Sequence, residues 1–262
     1  PMDVSTAEEA APAPATPAPS DQELLARIEA LLRIQALGPE PMLDFAVSDC
    51  RIRLHLPFCA TEVMQAAILK AGGISPVLGL LELPQLVKPG ATVVEVGAGI
   101  GVHTLILGMI CRAGRVHAFE PGEVSFGILE RNVTRNGLAR SVTLHRAALG
   151  AAEGSATCAA FYPNDLGRMR LDPATPGPYR VTTLDAQALE AVDLLRIDAG
   201  LAAPEILAGA EETLRRCRPV VWLELRQRSP AFAAAAARLA DLGYQRPRAL
   251  RGVAAELVFA PG

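Results

Sequence analysis

Residues 93–101 read V-V-E-V-G-A-G-I-G, an apolar run closed by a carboxylate and then by glycines at every second position. The apolar part has the pattern of a strand buried on both faces of a parallel sheet. Gly97, Gly99 and Gly101 allow the backbone to turn sharply and to approach a ligand where a Cβ would clash. Residues 102–110 are apolar enough for a packed helix, so the turn leads into a helix N-terminus. The spacing is G-x-G-x-G. It departs from the G-x-G-x-x-G of dinucleotide sites because Val102 stands where the third glycine would fall. The expected ligand is therefore S-adenosylmethionine (SAM) rather than NAD.

The chain has 262 residues, half of them apolar and a fifth charged, which suits one large α/β domain or a domain with an appendage. No stretch offers the ~20 uninterrupted apolar residues of a membrane span, and no membrane association is expected. The amino terminus lacks a basic segment followed by an apolar one, so a secretory leader is not expected. Pro1 before Met2 reads as an added residue, with the natural start at Met2. A net charge of −3 argues against a nucleic-acid binder working through bulk charge. Cysteines 50, 59, 111, 158 and 217 show no C-x-x-C pair or metal-ligand spacing. They fit reduced thiols in a cytoplasmic protein, and no metal site is expected.

Residues 1–19, nearly all Ala, Pro, Thr, Ser and Glu, are expected to be disordered. Residues 20–88 are read as a helical and mixed extension. Ser20 and Glu23 form a capping-box pair, and Leu24, Leu25, Ile28, Leu31 and Leu32 share one face of the helix that follows. That helix either docks on its own domain or pairs with a second copy. Residues 51–56 alternate as a half-exposed strand, and helices are expected over 62–70 and 77–87.

From residue 89 the chain alternates between strands and helices. Strands are expected at 93–96, 116–119, 142–144, 192–197 and 220–225, with closing strands near 245–250 and 255–259. Helices are expected at 102–111, 122–135, 204–216 and 231–242. An insertion at 151–185 interrupts with two short strands (157–162 and 180–184) around a loop at 163–178. This order implies a doubly wound, mostly parallel sheet with ligands at the carboxyl ends of its strands.

Glu120 ends the second strand, about 20 residues past the glycine turn, where a carboxylate can accept hydrogen bonds from two ribose hydroxyls. Glu95, at the exit of the first strand, could hold the SAM ammonium directly or through water. An acid there would sit badly beside a pyrophosphate, which prefers an uncompensated helix N-terminus.

Residues 88–101, Ala118-Phe-Glu-Pro121, the stretch 129–137 with its two asparagines, and Ala147-Ala-Leu-Gly150 together resemble the FkbM-type methyltransferases. Thr183-Leu-Asp185, Asp193-Leu-Leu-Arg-Ile-Asp198, Gly209-Ala210 and Trp222-Leu-Glu224 follow in that family's order. The resemblance spans roughly residues 82 to 226. It implies a class I SAM-dependent, Rossmann-like fold with a seven-stranded sheet. It also implies methyl transfer to a hydroxyl of a sugar, polyketide or other small polar acceptor. The cofactor set is then Glu95, Gly97, Ala98, Gly99, Gly101, Glu120 and Ala147. The insertion would lie near the acceptor, with Asn164 and Gly167 as contacts.

Two departures stand out. Glu95 and Gly99 replace the family's Asp and Asn, which keeps the charge and the tight turn. In the fourth-strand motif Asp198 survives, but Gly200 and Ala203 stand where the family has glutamates. A hydroxyl must shed its proton near the moment of attack, so a positioned base helps. Asp198 is the first candidate, and Glu224, at the end of the next strand, the second. Arginines 215, 216, 218, 226 and 228 could receive an anionic acceptor or form a solvated face. Two other readings remain: a SAM-fold protein that binds a partner without catalysis, and an NAD-type oxidoreductase.

Overall fold

A computed structural model describes residues 40–47, 49–74, 83–250 and 253–262, with Gly38 and seven positions between 22 and 35. The tail at 1–19 and most of the expected helix at 77–87 lie outside the described residues. The seven positions between 22 and 35 are helical. Leu25, Ile28 and Leu32 are exposed there, whereas Ile34 packs against the core.

A two-stranded antiparallel hairpin, β1 (Met42–Val47) and β2 (Cys50–His55), precedes helices α1 (Val63–Ala71) and α2 (Leu83–Leu86). The main sheet then begins with β3 (Thr92–Val96), and α3 (Val102–Leu105) continues into a wider turn, Ile106–Ile110. Next come β4 (Arg115–Phe119), α4 (Glu123–Arg135) and β5 (Val142–His145). The short β6 (Ala148–Leu149) precedes the insertion, which contributes β7 (Gly154–Ala160), β8 (Arg170–Asp172) and β9 (Tyr179–Thr182). The chain closes with β10 (Leu194–Ile197), α5 (Ala203–Ala208), α6 (Glu211–Cys217), β11 (Val220–Glu224), α7 (Pro230–Asp241), β12 (Arg248–Leu250) and β13 (Val253–Phe259).

The sheet has seven strands in the order β12-β13-β11-β10-β3-β4-β5, parallel except where β13 runs antiparallel between β11 and β12. From β3 the chain winds outward through β4 and β5, then crosses back to place β10 on the other side of β3. The strand order therefore reverses between β3 and β10, and the crevice beyond their carboxyl ends is where such sheets bind ligands. The expected seven-stranded doubly wound fold is the one observed.

Both faces of the sheet are covered, which explains its Val/Ile/Leu-rich strands. Val93, Val116, Leu194 and Trp222 face one core, shared with Ile52, Leu54 and Leu56 around the hairpin and with Leu105 of α3. Val94, Val96, Ile197 and Leu223 face the other, under α5 and α7.

Two motif fragments acquire structural roles. Fully buried Asn132 accepts from the His55 backbone N–H at 2.6 Å and donates to the Ile100 carbonyl at 2.8 Å. Asn136 accepts from the Arg53 N–H at 2.9 Å and donates to the Arg53 carbonyl at 2.6 Å. The asparagine pair thus fastens the hairpin to α4 and, through Ile100, to the glycine turn. Asn132→Ala would strand two buried backbone groups at about 1–3 kcal/mol each. Urea denaturation is expected to show a loss of roughly 2–4 kcal/mol, and a loss below about 0.5 kcal/mol would contradict this role.

The expected helix at 204–216 is instead two helices. A Cβ on Gly209 would collide with the Gly150 carbonyl oxygen, so the chain passes tightly against the strip leading from β6. The second helix restarts under a cap from outside. Asp185 accepts from the backbone N–H groups of Glu212 at 3.0 Å and Thr213 at 2.8 Å. The insertion likewise carries a third strand, β8, which the Pro-rich loop composition concealed.

Candidate functional site

The glycine turn lies at the crevice between β3 and β10. Gly97 (φ +79°) and Gly101 (φ +92°) are left-handed. A Cβ on Gly97 would strike the Asp198 carbonyl oxygen, and one on Gly101 would meet Leu129 Cδ1 at 2.7 Å. Gly99 is also left-handed (φ +56°), but its missing Cβ points into open space. Ala98 is buried and its N–H donates to the Phe119 carbonyl at 3.0 Å. The turn is thus held from beneath by β4 and β10, and its outer side is open for a ligand to approach the backbone.

Glu120 spans the base of this turn. Its Oε2 accepts from the Gly99 N–H at 2.9 Å and its Oε1 from the Gly122 N–H at 2.8 Å. Burial pushes its carboxyl up, while those two N–H groups pull it back. Each oxygen keeps a lone pair, so the group can still accept from ribose hydroxyls. Ala147 is buried where the chain leaves β5, and the N–H groups of Glu120 and Ala147 both donate to the His145 carbonyl, at 3.1 and 2.9 Å.

Glu95 is turned inward. It is fully buried, accepts from the Thr104 hydroxyl at 2.5 Å and lies 3.6 Å from the Arg196 guanidinium. Burial pushes its carboxyl up to about 7, against the pull of Arg196 and Thr104. Any influence of Glu95 on a cofactor runs, in this arrangement, through the turn and Arg196.

Arg196 is the centre of the site, and sequence reasoning passed over it. Register places Glu95, Arg196 and Trp222 side by side on β3, β10 and β11, with Glu224 opposite Glu256 of β13. Side chains alternate along a strand, so Asp198 and Glu224 continue the same face at the sheet's rim. The guanidinium is 1% exposed, lies 4.8 Å over the Trp222 ring, and reaches Asp198 at 3.0 Å and Glu224 at 3.1 Å. His103 meets Trp222 edge-on with ring centres 5.4 Å apart, and burial holds it well below the usual histidine range. An arginine in an otherwise apolar strand was the available signal. A buried cation needs carboxylate partners, and the parallel register supplies them.

Asp198 and Glu224 are about 40% exposed at the carboxyl ends of adjacent strands, so the structure brings the two expected proton acceptors together. Burial, then the neighbouring Asp198 charge, pushes the Glu224 carboxyl up to about 7. Gly200 (φ +52°) and Ala203 provide no third acid. Arg215, Arg216 and Arg218 lie before β11, at the opposite edge of the sheet. There they pair with Glu211, with the Leu189 and Glu190 carbonyls, and with the Leu242 and Gly243 carbonyls. They are therefore not at the crevice, whereas Arg226 and Arg228 are exposed beyond its end of β11.

The insertion folds over the Glu120 side. Met169 comes within 3.5 Å of the place a Gly122 Cβ would occupy, and Asn164 accepts from the Val63 N–H at 2.9 Å. Among the described residues no three His, Cys, Asp or Glu side chains are grouped to hold a metal ion, and no helix is long and apolar enough to cross a membrane.

The chain is similar in structure to methyltransferase FkbM of Methylobacillus flagellatus, at 17% identity and a TM-score of 0.45. The similarity covers 65% of this chain but only 43% of that one. A Streptococcus agalactiae protein of the NADB-Rossmann superfamily shares 15% identity over 72% of this chain and 70% of its own, with a TM-score of 0.47. TYW2 of P. horikoshii, solved with MeSAdo, shares 13% identity over 91% and 82% of the two chains, with a TM-score of 0.49. No curated protein matches in sequence. The profile of the methyltransferase FkbM domain matches residues 95–246, more than half of the chain. That stretch contains the glycine turn, Glu120, Arg196, Asp198 and Glu224, and the chain belongs to the FkbM methyltransferase family.

Proposed function

We propose that this protein is a cytoplasmic SAM-dependent O-methyltransferase acting on a hydroxyl of a small polar acceptor, sugar-like or polyketide-like. One observation carries the reading: two partly exposed carboxylates, Asp198 and Glu224, end the adjacent strands β10 and β11 beside the glycine turn, at the point where strand order reverses. The residues present fit the cofactor. The turn leaves open space at Gly99, and Glu120 retains lone pairs for ribose hydroxyls. Gly97, Ala98, Gly99 and Gly101 would hold it by backbone approach, with Ala147 and Met169 closing the Glu120 side. SAM supplies an electrophilic methyl group.

The protein's part is positioning and proton acceptance. Holding an acceptor oxygen in line for attack supplies much of the rate, and Asp198 takes the hydroxyl proton as the oxygen–carbon bond forms. Family membership favours methyl transfer over hydride transfer, and the net charge of −3 argues against an acceptor held through bulk positive charge. Incubation with methyl-labelled SAM and a panel of glycan and polyketide acceptors should give transfer. Asp198→Asn should lower it by about 10²–10⁴-fold with S-adenosylhomocysteine binding nearly unchanged. Undiminished transfer by that variant would remove Asp198 from the mechanism. Cofactor binding without transfer to any acceptor would favour a partner-binding role.

A further inference from the structure

The FkbM reading leaves a fully buried arginine unexplained. A guanidinium at 1% exposure is costly unless its charge is matched and its N–H groups are used. Here the matching is distributed. Nη1 faces Glu95 of β3 at 3.6 Å, while Nη2 alone serves both Asp198 of β10 at 3.0 Å and Glu224 of β11 at 3.1 Å. Nη2 carries two N–H bonds in one rigid plane, one for each carboxylate. The Trp222 ring packs against the guanidinium, 4.8 Å from its central carbon. On this face β13 adds Glu256 and α3 adds His103, and Arg248 of β12 stands in the row of Trp222, opposite Val258. Three carboxylates therefore pair with one cation, and the two at the rim are fastened to the same nitrogen.

We propose that Arg196 is a positioning residue: through Nη2 it holds Asp198 and Glu224 side by side, so that they act as one proton-accepting pair toward the acceptor hydroxyl. This rests on the methyltransferase reading of the crevice. The pair carries one proton between its two carboxyls before reaction. As the acceptor oxygen bonds to the methyl carbon, the hydroxyl proton passes to the pair, and the electrons of the broken sulfur–carbon bond stay on sulfur. The rise of Glu224 to about 7, with Asp198 among its causes, accords with a shared proton.

The test is carboxyl carbon NMR against pH on protein labelled at the Glu and Asp side-chain carboxyls. Glu224→Gln and Asp198→Asn assign the signals. In wild type the Glu224 signal is expected to titrate near pH 7. In Asp198→Asn its midpoint should fall by about one pH unit or more, because the neighbouring charge is gone. In Arg196→Lys, which keeps a charge but loses the fork, the Glu224 midpoint should move by about half a unit or more while S-adenosylhomocysteine binding persists. A Glu224 midpoint unchanged in Asp198→Asn overturns the pair. An unchanged midpoint in Arg196→Lys overturns the positioning role. Arg196→Met serves as a second variant where the fold survives, and there the midpoint should rise. Failure of wild type to bind S-adenosylhomocysteine would defeat the reading of the crevice itself, and with it the role of the pair in catalysis.

Discussion

Gly97→Ala is expected to reduce S-adenosylhomocysteine affinity by about 100-fold or more and to cost roughly 2–4 kcal/mol of stability. Two penalties combine. The left-handed backbone at φ +79° disfavours any residue with a Cβ, by about 1–2 kcal/mol. The new methyl would also occupy the place of the Asp198 carbonyl oxygen, a backbone atom that moves only if β10 shifts away from β3. The Asp198 N–H donates to the Val96 carbonyl at 2.9 Å, so the shift would break the pairing that forms the crevice. Gly99→Ala provides the contrast. Its backbone is also left-handed, but nothing lies within 4 Å of the added carbon, so its stability loss should stay near about 1 kcal/mol. Denaturant titration and calorimetry with S-adenosylhomocysteine separate the two. If Gly97→Ala binds within twofold of wild type, the tight approach of the two strands does not shape the ligand site.

Glu95→Gln should remove a pH dependence of stability worth up to about 3 kcal/mol. The folded-state carboxyl titrates at about 7 and the unfolded one near 4.5. A raised carboxyl binds more protons in the folded state, so its contribution is fully present below pH ~4.5. It is lost as pH rises through about 7, and flat above. The difference in unfolding free energy, Glu95→Gln minus wild type, should therefore grow in favour of the variant from pH 5 to pH 8. Taking the difference cancels other groups, such as His145, whose titration is lowered to about 4 by burial and by His117. A difference constant across that range would mean Glu95 stays ionised against Arg196 throughout. Glu95→Ala is the harsher change, because it leaves the Thr104 hydroxyl and part of a buried guanidinium unmatched.

The elements of the sheet domain were legible because their signals are local. Residues 93–96 are apolar and β-branched enough to be a strand wherever they lie, and the three glycines after them permit a turn that other residues resist. Acid at position 120 follows at the distance that one helix and one strand impose. The helix at 204–216 was misjudged because its break depends on a neighbour. Gly209 looks like a tolerated helix glycine until the Gly150 strip is beside it. The asparagines at 132 and 136 read as parts of a motif, and their partners, 77 and 83 residues earlier in the chain, could not be named from it.

The candidate site divides in the same way. Periodicity, turn chemistry and residue order determined by themselves that a carboxylate-flanked glycine turn sits at the ligand edge of a parallel sheet. Sequence also placed Asp198 and Glu224 at strand ends. Only the tertiary structure decided that β10 inserts between β3 and β11, which aligns Glu95, Arg196 and Trp222 in one register row. Electrostatic partnership depends on distance through space, and residues 95, 196 and 224 are distant in sequence and neighbours only after the strands order themselves. Hence the acids could be found by reading along the chain, while the cation that joins them emerged only from folding.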